Sequence, residues 1–286
     1  MINTVKHILT LTKIKISIAA MVLTGAGFLM AANHESMELL YVCLGVLLLS
    51  SGSAALNQYQ ERDIDGHMER TRNRPLPTRI ISDTGAVALI VLFAGIGMGI
   101  LYMKTSIIAF WLGVLTLVTY NFIYTPLKRK TIFAILPGSL VGGLIPMIGW
   151  AAAGSSILRP EILTLAFFVF VWQVPHFLLL LVRHHSDYEN ALLPTLINRV
   201  DAEQFVRIAF IWLTTTAVAC LFIMTFVSFH TIALKLCMLA LPLWLIWYAL
   251  QILNSKKLPT LMTISYKRIN IAAYITISIL IADNLL

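Results

Sequence analysis

Nine uninterrupted apolar stretches run through this chain of 286 residues, and their length is what most limits how it can fold. Each holds about 17–22 residues, enough for a helix to cross a hydrocarbon core ~30 Å thick. They lie near 14–32, 38–58, 84–103, 106–124, 132–152, 161–181, 206–227, 231–252 and 268–285, with edges uncertain by about 2–4 residues. Charged residues make up only 12% of the chain against 59% hydrophobic, where a soluble domain carries about 25% charge. Mean hydropathy is +0.85. The expectation is one all-α domain over residues 1–286, dissolved in lipid as a bundle of nine transmembrane helices.

The loops between these stretches alternate sharply in charge. All of the 21 Lys and Arg residues except Lys104, Arg159 and Lys235 fall on one side. That side holds the N-terminal Lys6, Lys13 and Lys15, the segment after the second stretch through Arg79, and Lys128 to Lys130. It also takes Arg183, Arg199, Arg207, Lys256, Lys257, Lys267 and Arg268. The positive-inside rule puts that side in the cytoplasm, with the N-terminus inside and the C-terminus outside. The same rule explains the net charge of +8 without any nucleic-acid partner. Cys43, Cys220 and Cys237 stand apart with no CxxC spacing, which points to buried free thiols. "MINTVKHILTLTKIKI" leads straight into a full-length span, so no removable signal is expected, and a bacterial plasma membrane is the simplest location.

Against this apolar background one stretch departs. "NQYQERDIDGHMERTRNRPLP", Asn57 to Pro77, packs Glu61, Asp63, Asp65 and Glu69 beside Arg62, Arg70, Arg72 and Arg74. Asn57, Glu61 and Asp65 stand at i, i+4 and i+8, and four residues advance a helix by about 400°, so the three share a face. One amide oxygen and two carboxylates form a hard, oxygen-only ligand set of the kind magnesium takes together with substrate phosphates. The neighbouring arginines can pair with phosphate oxygens. A merely solvated loop is the plainer alternative. Asn57 sits at the edge of an apolar span with the acids continuing its face, which favours a site. The helix must end before Pro75 and Pro77.

An Asn, an acid four on and an Asp four further, in a nine-helix chain, resembles the UbiA superfamily of intramembrane prenyltransferases. Within it, "NQYQERDID" followed by "RTRNRPLP" is similar to the protoheme IX farnesyltransferase (heme O synthase) branch, which has Glu where others commonly have Asp. "YTPLKRKT" (Tyr124 to Thr131), "GLIPMIGW" (Gly143 to Trp150), "WQVPHF" (Trp172 to Phe177) and "DYENALLP" (Asp187 to Pro194) follow in the same order. The resemblance covers nearly the whole chain. This chain departs from it in "ALLPTLI", where the branch reads closer to "AGIPMLP", and in keeping only Pro146 of a Pro pair.

The resemblance implies a UbiA-type bundle around a central cavity and a magnesium-dependent transfer from farnesyl diphosphate to a vinyl group of heme B, giving heme O. A heme A synthase would act downstream. Carried onto this sequence, it sets Asn57, Glu61, Asp65 and Asp187 as metal ligands and catalytic residues, with Lys128. Arg70, Arg74, Lys128 and Arg129 would bind the diphosphate, and Tyr124, Tyr188 and His176 the substrates. Pairing of Asp187 with Arg183 is the plainer reading of that acid, and Glu189 points elsewhere on a helix. His176, beside Pro175 in an apolar helix, is a functional candidate that could ligate heme iron or simply be hydrogen-bonded in the bundle. His184 and His185 suit a surface role; His7, His34 and His230 suit the interface. Gly138, Gly142 and Gly143 read first as helix-packing positions. The lysines and arginine at Lys128–Lys130 have topology as their default explanation.

Two other activities compete. A UbiA-type enzyme acting on an aromatic quinone precursor would share the first motif but is expected to carry Asp at position 61 and to lack "WQVPHF". A secondary transporter would show inverted repeats and midplane polar residues, whereas the charged motifs here gather at one face.

Overall fold

The computed structural model describes residues 2–32, 36–253 and 258–286. His34, Lys256 and Lys257 lie outside the described residues. Among the described residues, nine helices are long and apolar enough to cross a membrane. A short helix, α1 (Ile2–Leu11), precedes α2 (Ile14–Ala32). The remaining spans are α3 (Met37–Asp65), α4 (Asp83–Lys104), α5 (Ile107–Val118) continuing through α6 (Thr125–Leu127), α7 (Ile135–Ala152), α8 (Pro160–Arg183), α10 (Ala202–Phe226), α11 (Ile232–Leu253) and α12 (Leu258–Leu285). The short α9 (His185–Asn190) lies between α8 and α10.

Several edges differ from those read in the sequence. The second apolar span ends near 58, while the helix itself, α3, runs on to Asp65, as the shared face of Asn57, Glu61 and Asp65 requires. Polar residues there stay helical because their side chains turn back into the protein, so hydropathy loses the helix before the backbone does. Lys267 and Arg268 lie inside α12 rather than in a loop. Cys220 is buried, but Cys237 is exposed and Cys43 half-buried, so the expectation of three buried thiols holds for one.

Glycines set how closely the helices approach. A Cβ on Gly149 would lie 1.8 Å from Thr24 O, and one on Gly27 would lie 2.0 Å from Pro146 O. Helices α2 and α7 therefore touch backbone to backbone, the contact that small residues permit in membranes. Gly138, Gly142 and Gly143 likewise face the Tyr124 ring, the Gln173 amide and Ala166 O, which is the packing role expected of them.

Between α5 and α6 the backbone makes a π-helical turn, Thr119–Tyr124. Pro126 has no N–H to donate and crowds the carbonyl four residues back, and the wider turn accommodates it. Such π turns recur at functional sites. Here it swings Asn121, Tyr124 and Thr125 toward the end of α3.

Candidate active site at the end of α3

The last three turns of α3 separate their charges by face. Asn57, Glu61 and Asp65 are 1%, 4% and 3% exposed, while the side chain of Asp63, on the opposite face, is 67% exposed. The i, i+4, i+8 stripe is thus a buried line of oxygens at the edge of the bundle.

Each oxygen on that line faces a cation from a different element. Lys13 Nζ donates to Asn57 Oδ1 at 2.6 Å. Lys128 Nζ, just past α6, lies 2.5 Å from Glu61 Oε1. Arg74 Nη1, from the loop after α3, donates to Asp65 Oδ2 at 2.7 Å. Burial works against the charge on Lys128. Glu61, aided by Tyr124 and Tyr188, outweighs that and raises its pKa above the usual lysine value. At Lys13 burial first, then Arg74, outweighs the pull of Glu61 and Asp65 and brings its ammonium down to about 7.

The stripe is held in place by a polar network from the π turn. Asn57 Nδ2 donates to Thr125 Oγ1 at 2.9 Å, and Thr125 Oγ1 donates to Tyr120 O at 2.8 Å. Asn121 Nδ2 donates to Ser53 O at 2.9 Å while its Oδ1 accepts from Ser53 Oγ at 2.5 Å. Gln60 Nε2 closes the loop by donating to Asn121 O at 3.1 Å. Buried polar groups of this kind must be satisfied; here they also fix the rotation of α3 about its axis.

A second acidic element sits on α9. Asp187 is 5% exposed; its Oδ1 accepts from the backbone N of Glu69 at 2.8 Å. Its Oδ2 lies 4.0 Å from Arg70 Nε and 4.0 Å from His184 Nδ1. The expected alternative partner, Arg183, instead lies over the Tyr266 ring. Glu189 is exposed and pairs with His185 at 3.2 Å. Asp187 therefore ties α9 to the loop that also carries Arg74. Among the described residues no three His, Cys, Asp or Glu side chains group closely enough to hold a metal, so the two acidic elements stay apart, each compensated by its own cations. Arg129 turns outward, 3.6 Å from Asp63 Oδ2, and bonds Gln60 O.

Beside α9 opens a cleft lined by Tyr124, Lys128, Phe177, Tyr188, Leu193 and Pro194. Tyr124 stacks on Tyr120 at 5.5 Å and on Phe177 at 6.1 Å, giving the cleft an aromatic wall with one cation at its rim. His176 is the neighbour of Phe177, about two helical turns from the end of α8. Asn270 Nδ2 donates to Tyr266 O at 2.8 Å, which leaves Asn270 Oδ1 to accept from His176 Nδ1 at 2.7 Å. The Nε2 atom of the ring therefore carries the lone pair, as in metal-binding histidines whose other nitrogen is held by the protein. Trp172 and Tyr266 flank the imidazole with centroids at 5.1 Å each.

Residues the sequence reading passed over are thus Lys13, Gln60, Asn121, Thr125 and Asn270. Gln60, Asn121 and Asn270 could be singled out as amides in or beside apolar runs. Lys13 could not, because topology already accounts for an N-terminal lysine.

The donor set suits a hard divalent cation. It offers two carboxylates and an amide oxygen on one buried face, and Glu61 Oε1 is met there by a lone ammonium, that of Lys128. Residues 20–266 match the family model described as the UbiA prenyltransferase family. The chain belongs to the UbiA prenyltransferase family. Among its UbiA relatives is a protoheme IX farnesyltransferase of Nitratidesulfovibrio vulgaris, 29% identical over 233 residues, covering 82% of this chain and 81% of the relative. Another, from Geobacter sulfurreducens, is 41% identical over 169 residues, 59% of this chain and 62% of that one. The fold matches a digeranylgeranylglyceryl phosphate synthase with a TM-score of 0.81 at 15% identity, over 99% of both chains. It also matches a UbiA homologue from Archaeoglobus fulgidus bound to GPP and Mg2+, with a TM-score of 0.71 at 13% identity, over 98% of this chain and 100% of that one. The protein is a multi-pass membrane prenyltransferase by family.

Proposed function

We propose that this chain transfers a farnesyl group from farnesyl diphosphate to a vinyl group of heme B, with addition of water, to give heme O. The observation that carries the reading is the buried line Asn57–Glu61–Asp65 with Lys13, Lys128 and Arg74 set against it. A magnesium diphosphate brings both the cation these oxygens suit and the anion these side chains suit. Relatives named protoheme IX farnesyltransferase support heme B and farnesyl as the pair of substrates.

Asn57, Glu61 and Asp65 would hold magnesium, with Asp187 contributing from α9 as the two elements close over the substrate. Magnesium would supply positive charge beside the diphosphate, easing its departure. Lys128 and Arg74 stabilise the same growing negative charge by direct contact, and Arg70 stands at the rim to bind it; Arg129 would join them only by leaving Asp63. The bond between farnesyl C1 and the diphosphate oxygen breaks with its electron pair leaving on oxygen. The vinyl π electrons of heme then form the new carbon–carbon bond to C1. Positive charge passes to the vinyl carbon next to the porphyrin, where water adds and loses a proton. Tyr124 and Phe177 form an aromatic wall that excludes water from the allylic cation, and Tyr188 borders the same cleft. His176, with Nε2 free and Nδ1 anchored, would bind heme iron and set the distance between vinyl group and C1. No residue has to act as a strong base.

The reading places the N-terminus and the site on the cytoplasmic side of a bacterial plasma membrane, upstream of a heme A synthase. Membranes containing the protein, given heme B, farnesyl diphosphate and magnesium, should form heme O detectable by mass. Untouched heme beside a prenylated aromatic acid, in a parallel incubation, would transfer the assignment to a quinone precursor.

A further inference from the structure

The α1–α2 turn delivers a cation to the wrong partner for a resting protein. Among the described residues Lys13 is one of three non-glycine residues with positive φ, at 46°, a conformation ordinary side chains avoid. It is locked there: Lys13 N donates to Thr10 O, and Lys13 O accepts from Ile16 N at 2.8 Å. Gln58, the residue after Asn57, pins the preceding turn by donating to Thr10 O and Leu11 O at 2.7 and 2.9 Å. The outcome of this arrangement is an ammonium placed against the neutral amide oxygen of Asn57 at 2.6 Å. Arg74, Glu61, Lys128 and Asp65 all lie within its electrostatic reach. Positive-inside topology needs a lysine near the membrane surface, as the exposed Lys15 already provides; it does not need one tethered inside the ligand stripe.

We infer that Lys13 is a further diphosphate-binding residue, held on Asn57 Oδ1 until a metal takes that oxygen, so that metal and diphosphate enter by an exchange of partners. The inference rests on the diphosphate reading of the site. Asn57 Oδ1 cannot serve a metal while it accepts from Lys13, and two cations cannot share one small acceptor without repulsion. Displaced by the metal, the ammonium needs an anion within a side chain's reach, and the diphosphate is the group that arrives with the metal. Lys128 on Glu61 and Arg74 on Asp65 face the same exchange, which makes the binding of metal and diphosphate mutually dependent. Metal alone finds its ligands occupied. Diphosphate alone finds the cations engaged and the carboxylates repelling it.

The test uses the full chain in detergent, with Mn2+ as the probe metal read by the free-ion electron spin resonance signal, with and without inorganic pyrophosphate. In the wild-type protein pyrophosphate should tighten Mn2+ binding by roughly 10–100-fold, a coupling of ordinary size. Lys13→Met should bind Mn2+ alone more tightly than wild type, because Asn57 Oδ1 is free and a repelling charge is gone, while the tightening by pyrophosphate falls about tenfold. Lys13→Gln can still donate to Asn57 and so keep the turn anchored; it should lose the coupling equally. Lys13→Arg should retain most of it, and Lys15→Met all of it. Wild-type coupling in both neutral variants overturns the inference. Absence of any pyrophosphate effect in the wild-type protein would instead remove the diphosphate reading beneath it.

Discussion

Asp65→Asn tests the stripe most directly, because the substitution keeps size and helix compatibility and removes one charge. Asp65 is almost wholly buried and its carboxylate receives Arg74 Nη1 at 2.7 Å, whereas Asp63 is two-thirds exposed and 3.6 Å from a one-third exposed Arg129. An asparagine can still accept from Arg74, so the fold loses the difference between a charged and a neutral acceptor, about 1–2 kcal/mol. The loss to catalysis is larger. Removing one preorganised charge from the group that binds the leaving diphosphate should raise the barrier by about 3–4 kcal/mol, or ~10²–10³-fold in rate. Heme O formation measured by mass should therefore fall by that factor while the thermal transition in detergent moves only a few degrees, and high magnesium should restore part of the activity. Asp63→Asn, about 200° around the helix from Asp65, should cost less than threefold in rate. Equal damage from the two substitutions, or an Asp65→Asn protein that no longer inserts, would refute a ligand line on that face.

The other expectations address separate parts of the molecule. His176→Ala should weaken heme binding or shift its absorption bands while leaving pyrophosphate binding intact, and Asn270→Leu should give a milder version by freeing the ring; an unchanged spectrum in both would return His176 to a packing role. A reporter fused after Leu286 should appear outside the cytoplasm and one inserted near Lys130 inside, and finding both on one side would break the topology. Gly149→Ala puts a Cβ 1.8 Å from the backbone carbonyl of Thr24, so α2 and α7 must separate at a cost of about 1–3 kcal/mol or more. That should show as a lowered thermal transition with or without substrate.

Much of this protein is visible in one dimension because lipid imposes one-dimensional requirements. A span must be about 20 apolar residues long whatever it packs against, so the number of helices follows from composition along the chain. The stripe Asn57, Glu61 and Asp65 is equally local, since a helix turns through a fixed angle per residue and α3 continues through all three. Motif order and the matching family rest on the same local text. Tertiary structure decided the partners. That Asp187 is held by Glu69 N and Arg70 rather than by Arg183, four residues away, depends on α9 lying against the loop after α3, a contact across 118 residues. The anchoring of His176 Nδ1 by Asn270 spans 94 residues. Lys13 is the clearest case: its basic charge meets the needs of topology, so nothing in its type or spacing separates it from Lys15. Only the left-handed turn, pinned to α3 by Gln58, carries its ammonium to Asn57. Charge can be read from a residue's identity, but the oxygen it faces is set by packing between distant helices.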